Sequence, residues 1–163
     1  AKTIRTLANY GSEEKYVKIY QGLNSLRDAL QTAVLDVKLN YLDTENNKRR
    51  EVVKQYLEGI TNPAIVLPQG PQDEKEHVWH LFVIRTKDRD GFKHYLDSNG
   101  IQTLIHYPLP PYRQGAYKDM NHLSFPVTEK IHNEVLSLPL SPVLTEDEVK
   151  KVIEVVNSYS VIN

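Results

Sequence analysis

The feature that most limits the fold of this chain is a helical pattern in its first third. Apolar residues recur every three or four positions over residues 26–41 and again over residues 52–60, which is the spacing of one helix face. Asn24 or Ser25 can serve as the N-cap, and Gly59 is placed to end the pattern. The sequence therefore predicts a helix that begins near residue 24 and continues far beyond an average helix.

The pattern predicts one helix of about 34 residues, bent near Asn46, where polar residues interrupt the apolar stripe. The whole chain has 163 residues. So long a helix in a small domain is typical of a spine that is shared with another domain or another subunit.

The remaining elements alternate between short strands and short helices. Thr145 and Glu148 have the spacing of a capping box, and Gly100 is placed as the left-handed residue after a helix. The order predicts an α+β domain in which a small, mainly antiparallel sheet has helices on one side. The predicted strands are 64–67, 77–85 and 101–107, and residues 136–140 are predicted as a short strand or an extended segment. The predicted helices are 88–96, 126–135 and one that starts after residue 145.

Composition narrows the class of protein. A net charge of −1 disfavours general binding of nucleic acid. No apolar run approaches the roughly 20 residues of a membrane span. The absence of cysteine excludes disulfides and thiolate metal sites and fits a reducing compartment. We therefore expect a cytoplasmic protein that binds neither nucleic acid nor a membrane.

The start of the long helix has two interpretations. Unpaired N–H groups and the positive end of the helix dipole favour an anion such as a phosphate. Gly22 would allow close approach of backbone to such a ligand, and Asn24 can donate an amide. Capping is the commoner role of residues at this position, because every helix has a start and few starts bind anions.

His106 and Tyr107 are the second candidate site, because they end a predicted strand and lead into a proline-stiffened loop. Histidine transfers protons near neutral pH, and tyrosine can hydrogen-bond a phosphate or a hydroxyl. A Tyr–Pro turn with His106 in solvent is the alternative, and the residues alone leave both open. His77 and His80 would point to opposite faces of a strand, so no metal site is predicted.

Several motifs in order resemble the DegT/StrS-type sugar aminotransferases. They are "NYGSEEKY", "GLNSLRDALQTAVLDVKLNYLD", "HVWHLFVIR", "GIQTLIHYPLPPYRQGAY" and "FPVTEKIHNEVLSLPLSPVLTEDEV". The resemblance implies a fold-type I enzyme that uses pyridoxal 5′-phosphate (PLP), and it covers only the C-terminal part of such an enzyme. Residues 1–22 would be the tail of the large cofactor domain and a linker, and residues 23–163 the small domain. The Schiff-base lysine would lie upstream of Ala1.

The resemblance also implies a reaction and a set of site residues. The parent would transaminate a keto-deoxy nucleotide sugar, such as a dTDP-3-keto-6-deoxyhexose with glutamate as amino donor, for cell-surface polysaccharide or antibiotic sugars. It would be a homodimer with active sites at the subunit interface. Asn24 would reach the PLP phosphate of the neighbouring subunit, His106 and Tyr107 would lie beside the nucleotide sugar, and Tyr10 and Tyr16 would line the substrate channel.

Two alternatives remain open at this stage. The chain could be a non-catalytic dimerisation or regulatory module that keeps the fold without the chemistry. The parent could also be a PLP-dependent sugar dehydratase, in which histidine replaces the lysine. Without the upstream lysine, the 163-residue chain by itself is expected to be inactive.

Overall fold

The computed structural model of the chain describes residues 1–14, 17–23 and 29–160. They form two compact units, Ala1–Asp43 and Thr44–Asn163, which we call the first and the second unit. The division predicted after residue 22 concerns the domains of the parent protein, and it stays a prediction.

The first unit consists of helices and one small antiparallel pair of strands. Its elements are α1 (Lys2–Ala8), β1 (Ser12–Glu14), β2 (Val17–Lys18) and α2 (Ala29–Leu39). Ser12 lies opposite Lys18 in the strand pair. The chain then returns to α1, where the Leu23 amide donates to the Leu7 carbonyl at 3.0 Å.

The single long helix that was predicted is two helices in the structure. Helix α2 ends at Leu39, and α3 (Leu42–Gly59) begins after a turn at Asn40 and Tyr41. The Asn40 side chain donates to the carbonyl of Asp36 at 3.3 Å, and the amides of residues 40 and 41 bond to carbonyls three residues earlier. These short-range bonds satisfy the last carbonyls of α2 locally. The prediction of one helix bent near Asn46 was therefore wrong about the position and the nature of the break.

The second unit holds the rest of α3, two strands and three further helices. They are β3 (Phe82–Arg85), α4 (Arg89–Ser98), α5 (Pro126–Glu134), β4 (Val135–Leu138) and α6 (Glu146–Ser158). Short 3₁₀ turns occupy Glu74–Glu76, Pro111–Arg113 and Gly115–Met120.

Local sequence signals account for the helix starts in this unit. The capping box is confirmed, since the Thr145 hydroxyl accepts from the Glu148 amide at 3.3 Å and the Glu148 carboxylate accepts from the Thr145 amide at 2.8 Å. Asp88 caps α4 by accepting from the Gly91 amide. Gly100, with φ of +75°, follows that helix as predicted.

The sheet is antiparallel, and its central strands are shorter than predicted. Strands β3 and β4 pair with Phe82 opposite Leu138, and single bridges join Val66 to Arg85 on one side and Leu104 to Ser137 on the other. The predicted strands 64–67 and 101–107 are thus reduced to one bridge each. Strand 77–85 begins only at residue 82, because Trp79 has φ of +49°, outside the strand region.

The core lies on one face of this sheet. Residues opposite each other in an antiparallel pair share a face, and the pairs Phe82–Leu138 and Ile84–Leu136 are buried together. Helices α3, α4 and α6 pack onto that face with the buried residues Val52, Val53, Tyr56, Phe92, Leu96, Val149, Val152 and Val156. The prediction of an α+β domain with a small antiparallel sheet is confirmed. Within the described ranges, no helix has both the length and the apolar character needed to cross a membrane.

Candidate functional site

His106 and Tyr107 lie just beyond the bridge between Leu104 and Ser137, at the edge of the sheet. The His106 ring is half-buried, and its Nδ1 lies 2.9 Å from the Oγ of Ser137. The two rings stand almost perpendicular, with centroids 5.6 Å apart, and the peptide bond between the residues is cis. The histidine is therefore held by β4 while the tyrosine side chain next to it is exposed.

The backbone of Tyr107 is held by a different element. Nδ1 of His132, in the last turn of α5, donates to the Tyr107 carbonyl at 2.6 Å. The His132 carbonyl in turn accepts from Nη1 of Arg89 at 2.8 Å. Because a carbonyl can only accept, Nδ1 of His132 carries a proton in this arrangement. Contacts from α4 and α5 thus position Tyr107 through its main chain and leave its ring free of these constraints.

The loop after Tyr107 is organised around one carboxylate. Oε1 of Glu129, in the first turn of α5, accepts from the Tyr112 hydroxyl at 2.9 Å and from the Phe125 amide at 3.2 Å. Nη2 of Arg113 lies 3.4 Å from the same oxygen. The Tyr112 ring is buried, and it meets the Phe125 ring edge to face at 5.0 Å. Glu129 therefore joins both ends of the loop to α5.

These contacts shift the ionisation of two groups in opposite directions. The hydrogen bond from Tyr112, followed by that from the Phe125 amide, lowers the pKa of Glu129 below its ordinary value. Burial, followed by the neighbouring Glu129 carboxylate, raises the pKa of the Tyr112 hydroxyl. Both shifts favour a charged Glu129 and a neutral Tyr112, which is the state in which the hydroxyl donates to the carboxylate.

The loop is expected to open in acid. Because the pKa of Glu129 is lower in the folded protein, its contribution is present above the ordinary value of about 4.3 and is lost as pH falls through the folded value. Protection of the Phe125 amide against hydrogen exchange should therefore decrease over that range. Glu129→Gln should weaken protection at neutral pH and remove most of this pH dependence.

A matched control for that measurement is Glu51→Gln, at an exposed position on α3. It removes the same charge without touching the loop, so protection of the Phe125 amide should follow the wild-type profile. A Glu129→Gln profile that equals the wild type would show that the carboxylate does not hold the loop.

Tyr10 belongs to the first unit, where it follows α1 with φ of +53° and a half-exposed side chain. Its amide donates to the Leu23 carbonyl at 3.0 Å. Gly22 lies in the same crossing of two chain segments, and a Cβ there would come within 2.2 Å of the Gly11 amide nitrogen. The close backbone approach that glycine permits at position 22 is thus made here by the chain itself.

Asn24 and Tyr16 lie outside the described residues, so their predicted roles stay predictions. The structure brings His106 and Tyr107 together on the second unit and places Tyr10 on the first. No lysine whose side chain the structure describes is buried.

Sequence reasoning missed three residues that organise this site: Ser137, His132 and Glu129. The serine is a polar residue within a strand that is otherwise apolar, and its buried position follows from that context. Such a residue is a signal worth testing, because a buried hydroxyl has to find a partner. His132 and Glu129 lie on a short amphipathic helix and carry no comparable signal.

The sequence of this chain is similar to those of known aminotransferases. The sequence pattern of the DegT/DnrJ/EryC1/StrS aminotransferase family matches residues 1–157. The dTDP-3-amino-3,6-dideoxy-alpha-D-galactopyranose transaminase of Aneurinibacillus thermoaerophilus is 52% identical over 159 residues, which are 98% of this chain and 44% of the relative. The chain thus spans less than half the length of this relative.

Two solved structures are similar to the chain. The S. venezuelae enzyme DesV, in complex with a ketimine intermediate, has a TM-score of 0.88 at 40% identity over 94% of this chain and 42% of that one. NtdA of Bacillus subtilis, with bound cofactor PMP, has a TM-score of 0.83 at 32% identity over 93% of this chain and 37% of that one.

Proposed function

The chain belongs to the DegT/DnrJ/EryC1/StrS aminotransferase family, and from this membership we propose that it is the C-terminal part of a PLP-dependent enzyme that transaminates a keto-deoxy nucleotide sugar. The substrate proposed is a dTDP-3-keto-6-deoxyhexose, with glutamate as amino donor. The identity of 52% to a dTDP-3-amino-3,6-dideoxyhexose transaminase supports this choice of sugar. The Schiff-base lysine is proposed to lie in the part of the parent that precedes Ala1.

The observation that carries the proposal is the way His106 and Tyr107 are presented. A half-buried imidazole fixed by Ser137 stands beside an exposed tyrosine whose main chain is fixed by His132. The fixed imidazole can hydrogen-bond an oxygen of a phosphorylated sugar with little loss of conformational entropy. The exposed tyrosine hydroxyl beside it can reach a second oxygen of the same ligand. We assign them to binding and orienting the nucleotide sugar.

The cofactor, when bound in the parent, supplies the electron sink for transfer of the amino group. Asn24 is proposed to donate its amide to the cofactor phosphate of the neighbouring subunit, where a helix start would add further N–H donors. Tyr10 and Tyr16 are proposed to line the approach to the site. The active unit is therefore proposed to be a homodimer of the parent with its sites at the subunit interface.

The lysine assignment can be tested on this chain directly. The chain is mixed with PLP, reduced with borohydride and digested, and the peptides are analysed by mass. We expect no stoichiometric PLP–lysine adduct anywhere in residues 1–163, because no lysine whose side chain the structure describes is buried. A specific, stoichiometric adduct in this range would contradict the proposal.

The cofactor role of Asn24 needs the full-length parent. Asn24→Ala should raise the dissociation constant for PLP by about tenfold or more, the usual cost of a lost hydrogen bond to a charged group. Asn47→Ala, on the exposed surface of α3, is the matched control and should leave PLP affinity unchanged. A parent without a lysine that PLP can modify, and without transamination of a dTDP-3-keto-6-deoxyhexose, would favour the dehydratase or the non-catalytic module instead.

A further inference from the structure

Ser137 contacts the His106 segment through both its main chain and its side chain. Its amide donates to the Leu104 carbonyl at 2.8 Å, and its carbonyl accepts from the Leu104 amide at 3.4 Å. Its Oγ then lies 2.9 Å from Nδ1 of His106, two residues further along. The serine is only 5% exposed, so solvent contributes little to its hydrogen bonding.

The position of the proton between Oγ of Ser137 and Nδ1 of His106 follows from which other hydrogen-bond partners each group has. If Nδ1 of His106 donated, the hydrogen of the Ser137 hydroxyl would need an acceptor elsewhere. Within the described part of the chain, that hydroxyl has no other hydrogen-bond partner. Leaving a buried O–H unpaired is costly, whereas donating it to Nδ1 satisfies both atoms. The favourable arrangement therefore has Ser137 as donor and Nδ1 as acceptor.

A neutral imidazole that accepts at Nδ1 carries its proton at Nε2. We propose that Ser137 is a positioning residue that holds His106 in the Nε2–H form, so that His106 acts on the substrate as a hydrogen-bond donor. Nε2 makes no hydrogen bond to any described residue, and the ring is half-exposed. The donor is thus available to a ligand.

This assignment restricts the chemistry of the ligand and of the site. The partner of Nε2 is an oxygen that accepts, such as a pyrophosphate or carbonyl oxygen of the nucleotide sugar, and this choice rests on the proposed function. His106 cannot take a proton at Nε2 unless the proton already there moves to Nδ1, and that move also breaks the hydrogen bond that Nδ1 accepts from Ser137. Its role is therefore substrate orientation, and a general base has to come from elsewhere in the parent.

The proton position can be measured without any ligand. Long-range proton–nitrogen-15 correlation spectra of the imidazole rings are recorded on the whole chain at about pH 8, where an ordinary histidine is neutral, and His106 is assigned by its loss in His106→Gln. The wild type should show Nε2 protonated and Nδ1 as a hydrogen-bonded acceptor. A protonated Nδ1 in the neutral wild-type ring would overturn the proposal, whatever the variants do.

Two variants distinguish the effect of the Ser137 hydroxyl from a general change in the fold. Ser137→Ala should shift the Nδ1 resonance to that of an unbonded acceptor and raise the share of the Nδ1–H form. Ser137→Thr keeps the hydroxyl on a β-branched residue suited to a strand and should restore the wild-type spectrum. A His106 spectrum that is the same in Ser137→Ala and the wild type would show that the serine does not hold the ring.

Ligand binding in the full-length parent tests the direction of the bond to substrate, with dTDP-glucose as the probe. His106→Gln places an amide donor near the position of Nε2, and His106→Asn places it near Nδ1. We expect the dissociation constant to rise about threefold or less for His106→Gln and about tenfold or more for His106→Asn and for His106→Ala. Equal weakening by the glutamine and asparagine variants would contradict the donor role.

The imidazole spectra and the binding measurements can contradict their two proposals independently. In one case, the spectra show the Nε2–H form and its dependence on Ser137, but His106→Ala binds dTDP-glucose as well as the wild type. The positioning by Ser137 is then confirmed, and the proposed substrate site is wrong. If His106→Ala weakens binding but the neutral ring carries its proton on Nδ1, the substrate site stands and the role assigned to Ser137 is wrong.

Discussion

Replacing Phe82 with alanine is expected to lower the free energy of unfolding of the second unit by about 3–5 kcal/mol. Phe82 is fully buried on the inner face of the sheet, with its ring 5.1 Å from that of Tyr56 and 6.0 Å from that of Trp79. Its removal would leave a cavity between α3 and β3 that rigid neighbours cannot fill. Urea unfolding followed by far-ultraviolet circular dichroism measures the loss.

Phe125→Ala is the matched control, because it removes the same atoms from a ring that is 47% exposed and lies outside the core cluster. Its cost should be about 1 kcal/mol or less, mainly from the lost contact with Tyr112. If Phe82→Ala cost no more than Phe125→Ala, the packing between the sheet and α3 would not be as the structure shows.

Arg85→Met is expected to cost about 2–3 kcal/mol, the second large effect. Nε and Nη2 of Arg85 both donate to Oε2 of Glu134, at 3.0 and 2.7 Å, and the Glu134 side chain is only 12% exposed. Without the guanidinium, the largely buried carboxylate keeps one charged partner among the residues that the structure describes, Lys130, whose Nζ is 4.0 Å away. We expect a smaller loss of stability than for a fully buried ion pair, because the Arg85 side chain is 38% exposed.

The double variant Arg85→Met/Glu134→Leu distinguishes this explanation from a simple loss of packing. Removing both charges leaves no buried ion unpaired, so most of the lost stability should return. The exposed pair Lys93–Asp97 on α4 is the control, and Lys93→Met should change stability by less than about 0.5 kcal/mol. A double variant that is less stable than Arg85→Met would contradict the proposed cost of an unpaired carboxylate.

Features with a local cause were predictable from the sequence. The capping box at Thr145 and the start of α4 at Asp88 depend on contacts within four residues, and the structure contains both. The buried stripe of α6 and the buried residues Phe82 and Ile84 of β3 follow from periodicity and hydrophobicity alone. The long helix was mispredicted for the same reason, since periodicity continues across Asn40 and Tyr41 while the backbone does not.

The candidate site was predictable only in part. His106 and Tyr107 could be singled out because a histidine and a tyrosine stand between an apolar segment and a proline-rich loop. Their supports could not be found this way: Ser137 is 31 residues from His106, His132 is 25 from Tyr107, and Glu129 is 17 from Tyr112. Only the pairing of β4 with the segment at Leu104 brings Ser137 to His106.

The sequence by itself therefore determined the α+β class, the caps of α4 and α6 and the buried stripe of α6, because each depends on residue types at short spacing. Its resemblance to known enzymes identified the family. The tertiary structure alone decided which groups meet His106 and Tyr107 and which side of the imidazole remains available to a ligand. The physical reason is that a hydrogen bond in a buried setting depends on which distant partner folding delivers to within about 3 Å. Periodicity carries no information about that partner.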